Sequence, residues 1–92
     1  MVIGCLQLEI HLPAASSLKD KRQVVSSLRD RLRRRNISFA EVAHQELWQR
    51  AGLAVVAVAA QKSQLDSLFE AVQDEVARLV PGEVIHHQVE YL

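Results

Sequence analysis

Ninety-two residues, nearly half of them hydrophobic, are enough for one domain with a single core over residues 1–92, and they exclude a two-domain or a disordered chain. A lone cysteine, Cys5, excludes an intrachain disulfide and suits a reducing cytoplasm, and no run nears the roughly 18 apolar residues of a membrane span. The net charge of zero conceals two opposed parts: Lys19 to Arg35 holds eight of the eleven basic residues with only Asp20 and Asp30, about +6, against about −6 elsewhere.

Residues 2–12 alternate, with Leu6, Leu8, Ile10 and Leu12 on one face and Cys5, Gln7, Glu9 and His11 on the other. That pattern predicts a half-buried strand ended by Pro13, and its polar members break the run too early for a signal peptide. Ser17 is placed to cap a helix, with Asp20 at the third helical position in a variant of the capping box. Leu18, Val24, Val25, Leu28 and Leu32 then recur at helical spacing, so the helix is expected to run to about Arg34 with Asn36 as its stop. Residues 37–43 and 53–60 read as the second and third strands, joined by a connection, 44–50, longer than a tight hairpin turn. A second helix is predicted over 63–80, with Leu65, Leu68, Phe69, Val72, Val76 and Leu79 on one stripe. Pro81-Gly82 would stop it, and 83–91 forms the last strand. The order βαββαβ predicts an α+β, ferredoxin-like sandwich: a four-stranded antiparallel sheet with two helices on one face.

Such a sheet leaves its other face bare. The third strand is apolar at both parities, which predicts an apolar strip there, suited to a homodimer. RNA-recognition domains stack bases on aromatic residues of the central strands. The corresponding positions here offer Cys5, Gln7, alanines and valines, so stacking on the sheet is not expected.

On the first helix Arg22, Arg29 and Arg33 share a stripe at i, i+7 and i+11 with Ser26 between them, and Arg31, Arg34 and Arg35 extend the positive region. Pairing of Asp30 with Arg33 or Arg34, and compensation of the helix dipole, account for part of this charge. Five arginines within residues 29–35 exceed what the dipole requires. Arg22, Arg29, Arg33 and Arg34 are therefore the candidates for binding a phosphate backbone, by shape rather than by sequence.

Three segments carry a resemblance: Ser17-Leu18-Lys19-Asp20-Lys21-Arg22, the run Arg29-Asp30-Arg31-Leu32-Arg33, and Glu41-Val42-Ala43-His44-Gln45-Glu46-Leu47-Trp48-Gln49-Arg50. Together they resemble the YlxP-like bacterial family (domain of unknown function 503) over nearly the whole chain. The resemblance implies a ferredoxin-like fold and no established activity. Because the family's genes commonly lie near those for translation initiation and ribosome-binding factors, it also implies a setting around translation or ribosome assembly. It transfers no catalytic residues.

The only tryptophan, Trp48, lies in the long connection. It either closes the end of the core or, beside Gln45, Gln49 and Arg50, anchors a partner or stacks on a base. Trp48, Arg50 and Gln45 are thus a second candidate contact. No metal site is expected: His44-Gln45-Glu46 lacks the zinc-hydrolase spacing, and the adjacent His86 and His87 point to opposite faces of a strand. Cys5 reads as a small, buried strand residue. Acylphosphatases, which share this fold, hold phosphate in a glycine-rich, arginine-bearing loop after the first strand and use an asparagine on the second. Residues 12–17 contain neither glycine nor arginine, and Asn36 serves as a helix stop, so neither an enzyme nor a cofactor is expected. The expectation is a non-enzymatic cytoplasmic domain that binds RNA or a ribosomal particle through its first helix. The alternative is a homo-oligomeric structural or ligand-sensing regulatory module, whose arginines pair with Asp66, Glu70, Asp74 and Glu75 of a neighbouring subunit.

Overall fold

The computed structural model describes residues 1–80 and 83–92, in the order β1 (Val2–His11), α1 (Leu18–Leu32), β2 (Ser38–Ala43), β3 (Arg50–Ala59), α2 (Lys62–Leu79) and β4 (Val84–Tyr91). The expected stop at Pro81-Gly82 lies outside the described residues. The strands form one antiparallel sheet in the order β2-β3-β1-β4. This is the ferredoxin-like α+β plan that the hydrophobic patterns predict.

Register explains the layering. Leu6, Leu8 and Ile10 of β1 lie opposite Val55, Leu53 and Ala51 of β3. All six are buried in one core with Val25, Leu28 and Leu32 of α1 and Leu65, Phe69, Val72 and Val76 of α2. The intervening residues point away from the helices: Gln7 and Val56 are exposed, and Val58 retains 53% of its surface. The apolar strip expected on the far face is therefore bare in the single chain. Cys5, between Val56 and Glu90 on that face, is half-buried rather than buried. No described helix is long and apolar enough to cross a membrane.

Two boundaries differ from the sequence reading by more than one residue. The first helix ends at Leu32 with Arg33 as its cap, and a tight turn follows in which Arg35 N–H donates to the Leu32 carbonyl at 3.0 Å. The third strand begins at Arg50, because Arg50 and Ala51 pair with His11 and Ile10 before the apolar run starts.

The start of α1 is capped as expected, with a shift in the reciprocal bond. Ser17 Oγ accepts from the Asp20 N–H at 3.1 Å, but the Asp20 carboxylate reaches one residue further back, accepting from Ser16 N–H at 2.9 Å and Ser16 Oγ at 2.8 Å. These bonds, the Ser16 N–H foremost, hold the Asp20 carboxyl below its ordinary range. A carboxyl lowered by folding stabilises the fold above its unfolded value, near pH 4, and loses that contribution as the pH falls further. Asp20→Asn should therefore lower stability in urea titrations at pH 7, and the gap to the parent should close by about pH 2. A gap of equal size at both values would mean that the charge of Asp20 is irrelevant.

Candidate nucleic-acid interface

The arginines of α1 divide between two flanks. With Lys21, Val25, Leu28 and Leu32 turned into the core, the 100° step of the helix sends Arg22, Arg29 and Arg33 to the flank nearer β2. The Arg29 guanidinium lies 5.5 Å from the centre of the Phe39 ring, a cation–π contact that steadies it beside the strand. Arg33 pairs with Asp30 at 3.0 Å, as one of the two sequence options had it, but both groups are largely in water and such a pair contributes about 1 kcal/mol at most. Arg22 has no ion-pair partner among the described residues. Lys19 shares a shallow hollow with Arg22 and Ser26 on this outer face.

The other flank faces α2. Arg31 and Arg35 approach Glu75, each at 3.8 Å, and Arg78 of α2 reaches the same carboxylate at 3.1 Å. Arg34 lines the cleft between the helices with Arg31, Arg35 and Glu75. It therefore does not join the stripe of Arg22, Arg29 and Arg33. Part of the arginine excess thus ties the two helices together. Of the four α2 carboxylates offered above as partners for a neighbouring subunit, two are engaged within the chain: Glu75 by these arginines, and Asp66 by Tyr91 and Lys62.

Lys21, counted above with the positive patch, is 1% exposed. Its ammonium donates to three backbone carbonyls of the 44–50 segment and its ends: His44 at 2.7 Å, Gln45 at 3.2 Å and Arg50 at 3.4 Å. Glu41 Oε2 lies 2.8 Å away and supplies the countercharge; with the three N–H groups already directed at carbonyls, this contact acts through charge rather than as an aligned hydrogen bond. A charge this deep is tolerated only because it is paired and fully hydrogen-bonded.

The same segment is fastened by six further hydrogen bonds. His44, at φ 59° in the left-handed region, donates from Nε2 to Glu9 Oε1 at 2.5 Å, and its carbonyl also accepts from Leu47 N–H at 3.0 Å. A non-glycine residue in that region is held there by its surroundings, here from both ends of the residue. The His44 bond is the chief reason the Glu9 carboxyl sits below its ordinary range. The Gln49 side-chain amide donates to the carbonyls of Pro13 and Ala15, and the Gln49 main-chain carbonyl accepts from Leu12 N–H at 2.8 Å. The Gln45 amide folds back to the Glu41 carbonyl at 3.3 Å.

This fastening holds the tip outward. Trp48 is 52% exposed, so it does not close the core, and Leu47 beside it is equally open. A cleft of about 620 Å³ is lined by His11, Glu46, Leu47, Trp48, Gln49 and Arg50. Trp48 and Arg50 are brought together there, as grouped from sequence, whereas Gln45 stays outside. Among the described residues no three metal-ligating side chains converge.

A family model described as a protein of unknown function, DUF503, matches residues 3–89. The chain belongs to the DUF503 family. The uncharacterized protein YlxP of Bacillus subtilis (strain 168) is 31% identical over 72 residues, which is 77% of this chain and 78% of that one. Among solved structures, the designed protein LFR1 1, described as having a ferredoxin fold, superposes with a TM-score of 0.60 at 8% identity, covering 100% of this chain and 83% of its own. A Bordetella bronchiseptica protein named for antibiotic biosynthesis monooxygenases gives 0.54 at 18% identity, covering 100% and 96%. At such identities the likeness shows the fold alone.

In this DUF503 chain, two of the segments that carry the family resemblance, 17–22 and 41–50, are the ones Lys21 joins. Sequence reasoning missed that role, although a signal was present. Residues 18, 21, 25, 28 and 32 form an unbroken three-and-four spacing, and Lys21 occupies a core position of it. His11, Glu46 and Leu47 were likewise not assigned to the cleft. His11 reaches it because it pairs with Arg50 across β1 and β3.

Proposed function

We propose that this domain is a non-enzymatic, cytoplasmic RNA-binding module that lays the outer face of α1 along a phosphate backbone, with a ribosomal particle as its RNA-rich partner. The supporting observation is the division of the arginines. Arg31 and Arg35 face Glu75 across the interhelical cleft at 3.8 Å, while Arg22, Arg29 and Arg33 stand exposed in a row, with the water-exposed Asp30 and the Phe39 ring their only partners among the described residues. Along the helix axis Arg29 and Arg33 lie about 10 Å and about 16 Å from Arg22, a span that reaches several phosphates of one strand. Guanidinium groups on a rigid helix suit bidentate phosphate contacts, and Ser26 between them lets a backbone approach closely.

The test is binding of a labelled RNA and of small ribosomal subunits across a salt series, for the parent and for Arg29→Glu/Arg33→Glu. Three or four phosphate contacts on a single strand give a slope of log affinity against log salt of about −2 to −3, and the double reversal should flatten it by about 1.4. Equal slopes, or no binding at low salt, would exclude the helix as the contact.

A second reading is favoured by the bare strip of Val56 and Val58: two copies meet through their sheets. It is compatible with the first, since the sheet and the outer face of α1 lie on opposite sides of the core. Light scattering tells which surface holds such a dimer. A sheet-mediated dimer keeps its mass in the arginine variant, whereas a dimer held by arginines against the acidic helix of a neighbour falls to monomer.

A further inference from the structure

We propose that the cleft beside Trp48 is a nucleotide site that accepts one unpaired nucleotide, its base stacked on the indole and its phosphate held by Arg50. This deepens the RNA-binding reading and rests on it for the strand to which the nucleotide belongs.

Shape and chemistry agree at this place. The cleft, about 620 Å³, is open, so it can seat a base against its wall without enclosing a whole ligand. Its wall is an indole left 52% exposed, although tryptophan is normally drawn well into the interior. Next to the indole are Arg50, a permanently charged cation, and His11, directly opposite Arg50 in the sheet. A π face beside a guanidinium is the pairing that binds a base and its phosphate together. The Glu46 carboxylate on the rim is an acceptor suited to a ribose hydroxyl. The two side chains able to read a base edge are directed elsewhere: the Gln49 amide donates to Pro13 and Ala15, and His11 Nδ1 faces Glu83 at 3.8 Å. The site therefore holds any base rather than a chosen one.

Preorganisation strengthens the case. The indole rides on a segment whose carbonyls are clamped by Lys21 and whose ends are tied to Glu9 and to the chain before α1. Stacking on it requires no ordering of the loop at the moment of binding. The base must be unpaired, because in a duplex both of its faces are covered by neighbouring bases. Lys21 also brings the segment to the first turn of α1, one residue from Arg22, so a strand running along the arginine stripe leads toward the cleft. A protein partner fits less well: the apolar surface is Leu47 and Trp48 alone, and charges of both signs ring it, whereas a protein hot spot is enclosed by a wider dry surround.

Because Trp48 is the only tryptophan, its fluorescence reports on the cleft directly. The full chain is titrated at low salt with adenosine, adenosine monophosphate, a single-stranded RNA 8-mer and the corresponding duplex, while polarisation of labelled RNA follows binding independently. Expected are quenching by the single strand, little or none by the duplex, and weaker quenching by adenosine than by its monophosphate. Trp48→Ala should lose roughly 10-fold or more in single-strand affinity with its fold intact by circular dichroism, and Trp48→Phe should recover most of that. Arg50→Gln should abolish the preference for the monophosphate; the Lys21 bond uses the Arg50 carbonyl, so the loop anchor survives that change. Quenching by the mononucleotide with no RNA bound by polarisation would keep the site, assign it to a free nucleotide, and remove the RNA reading. RNA binding by polarisation with unquenched fluorescence and an unaffected Trp48→Ala variant would overturn this site and leave the helix reading standing. Absence of both signals would overturn both.

Discussion

Lys21→Met is expected to remove about 3 kcal/mol of stability, a large part of the roughly 5–15 kcal/mol that holds a domain of this kind together. Methionine keeps the apolar stem within the core, so the loss isolates the ammonium. Three carbonyls lose a charged donor, and Glu41, with 17% of its side chain exposed, loses its ion-pair partner among the described residues. The exposure of Glu41 places the effect at the lower end of the usual range for a broken buried pair, about 3–5 kcal/mol. Adding Glu41→Gln should restore part of the loss, because the stranded charge goes with it, and a double-mutant cycle in urea measures that coupling. Lys21→Arg should not rescue, since a planar fork cannot direct its hydrogens at three carbonyls converging on one point. A loss below about 1 kcal/mol for Lys21→Met would show the clamp to be incidental.

Gly52→Val should lower the melting temperature by about 12 °C or more, corresponding to about 3 kcal/mol in a chain of this size. Gly52 faces Ala43 just past the irregularity in which β2 carries one extra residue, Val42. A Cβ on Gly52 would lie 2.6 Å from the methyl carbon of Ala43 and 3.3 Å from the main-chain carbon that bears it. Backbone lies behind the methyl, so the strands must part, and His44, the next residue, loses the placement that joins it to Glu9 and Lys21. The smaller change Gly52→Ala should be partly relieved by Ala43→Gly, which removes the nearer obstacle and leaves only the main chain of residue 43 in the way. An unchanged melting temperature for Gly52→Val would mean that β2 shifts freely at this point.

The architecture was readable because each element carries its own period: Leu6, Leu8 and Ile10 alternate, while Leu65, Phe69, Val72 and Val76 step by three and four. Arg50 and Gly52 hid the start of β3, since a charged residue and a glycine ahead of an apolar run look like loop, and only pairing with β1 makes them strand. The basic character of α1 was equally plain. How the arginines divide was not, because Arg31 and Arg35 depend on where Glu75 of α2 falls across the interhelical cleft. Lys21 is the sharper lesson. Charge alone placed it on the surface, whereas its position in the three-and-four spacing placed it inside, and the partners that make burial tolerable stand 20 to 29 residues further along the chain.

The segment from His44 to Gln49 joins two strands and ends in an exposed tip, which is the usual description of a place where a protein accepts inserted residues without harm. Here the description misleads. One ammonium holds carbonyls on both sides of the tip, at His44 and Gln45 before it and Arg50 after it, so the number of residues between them is set by the geometry of a single nitrogen. A residue added on either side of Trp48 draws an oxygen off that nitrogen. The length of this stretch is thus as constrained as the width of the interior, and grafts, tags or permuted ends belong elsewhere on the surface.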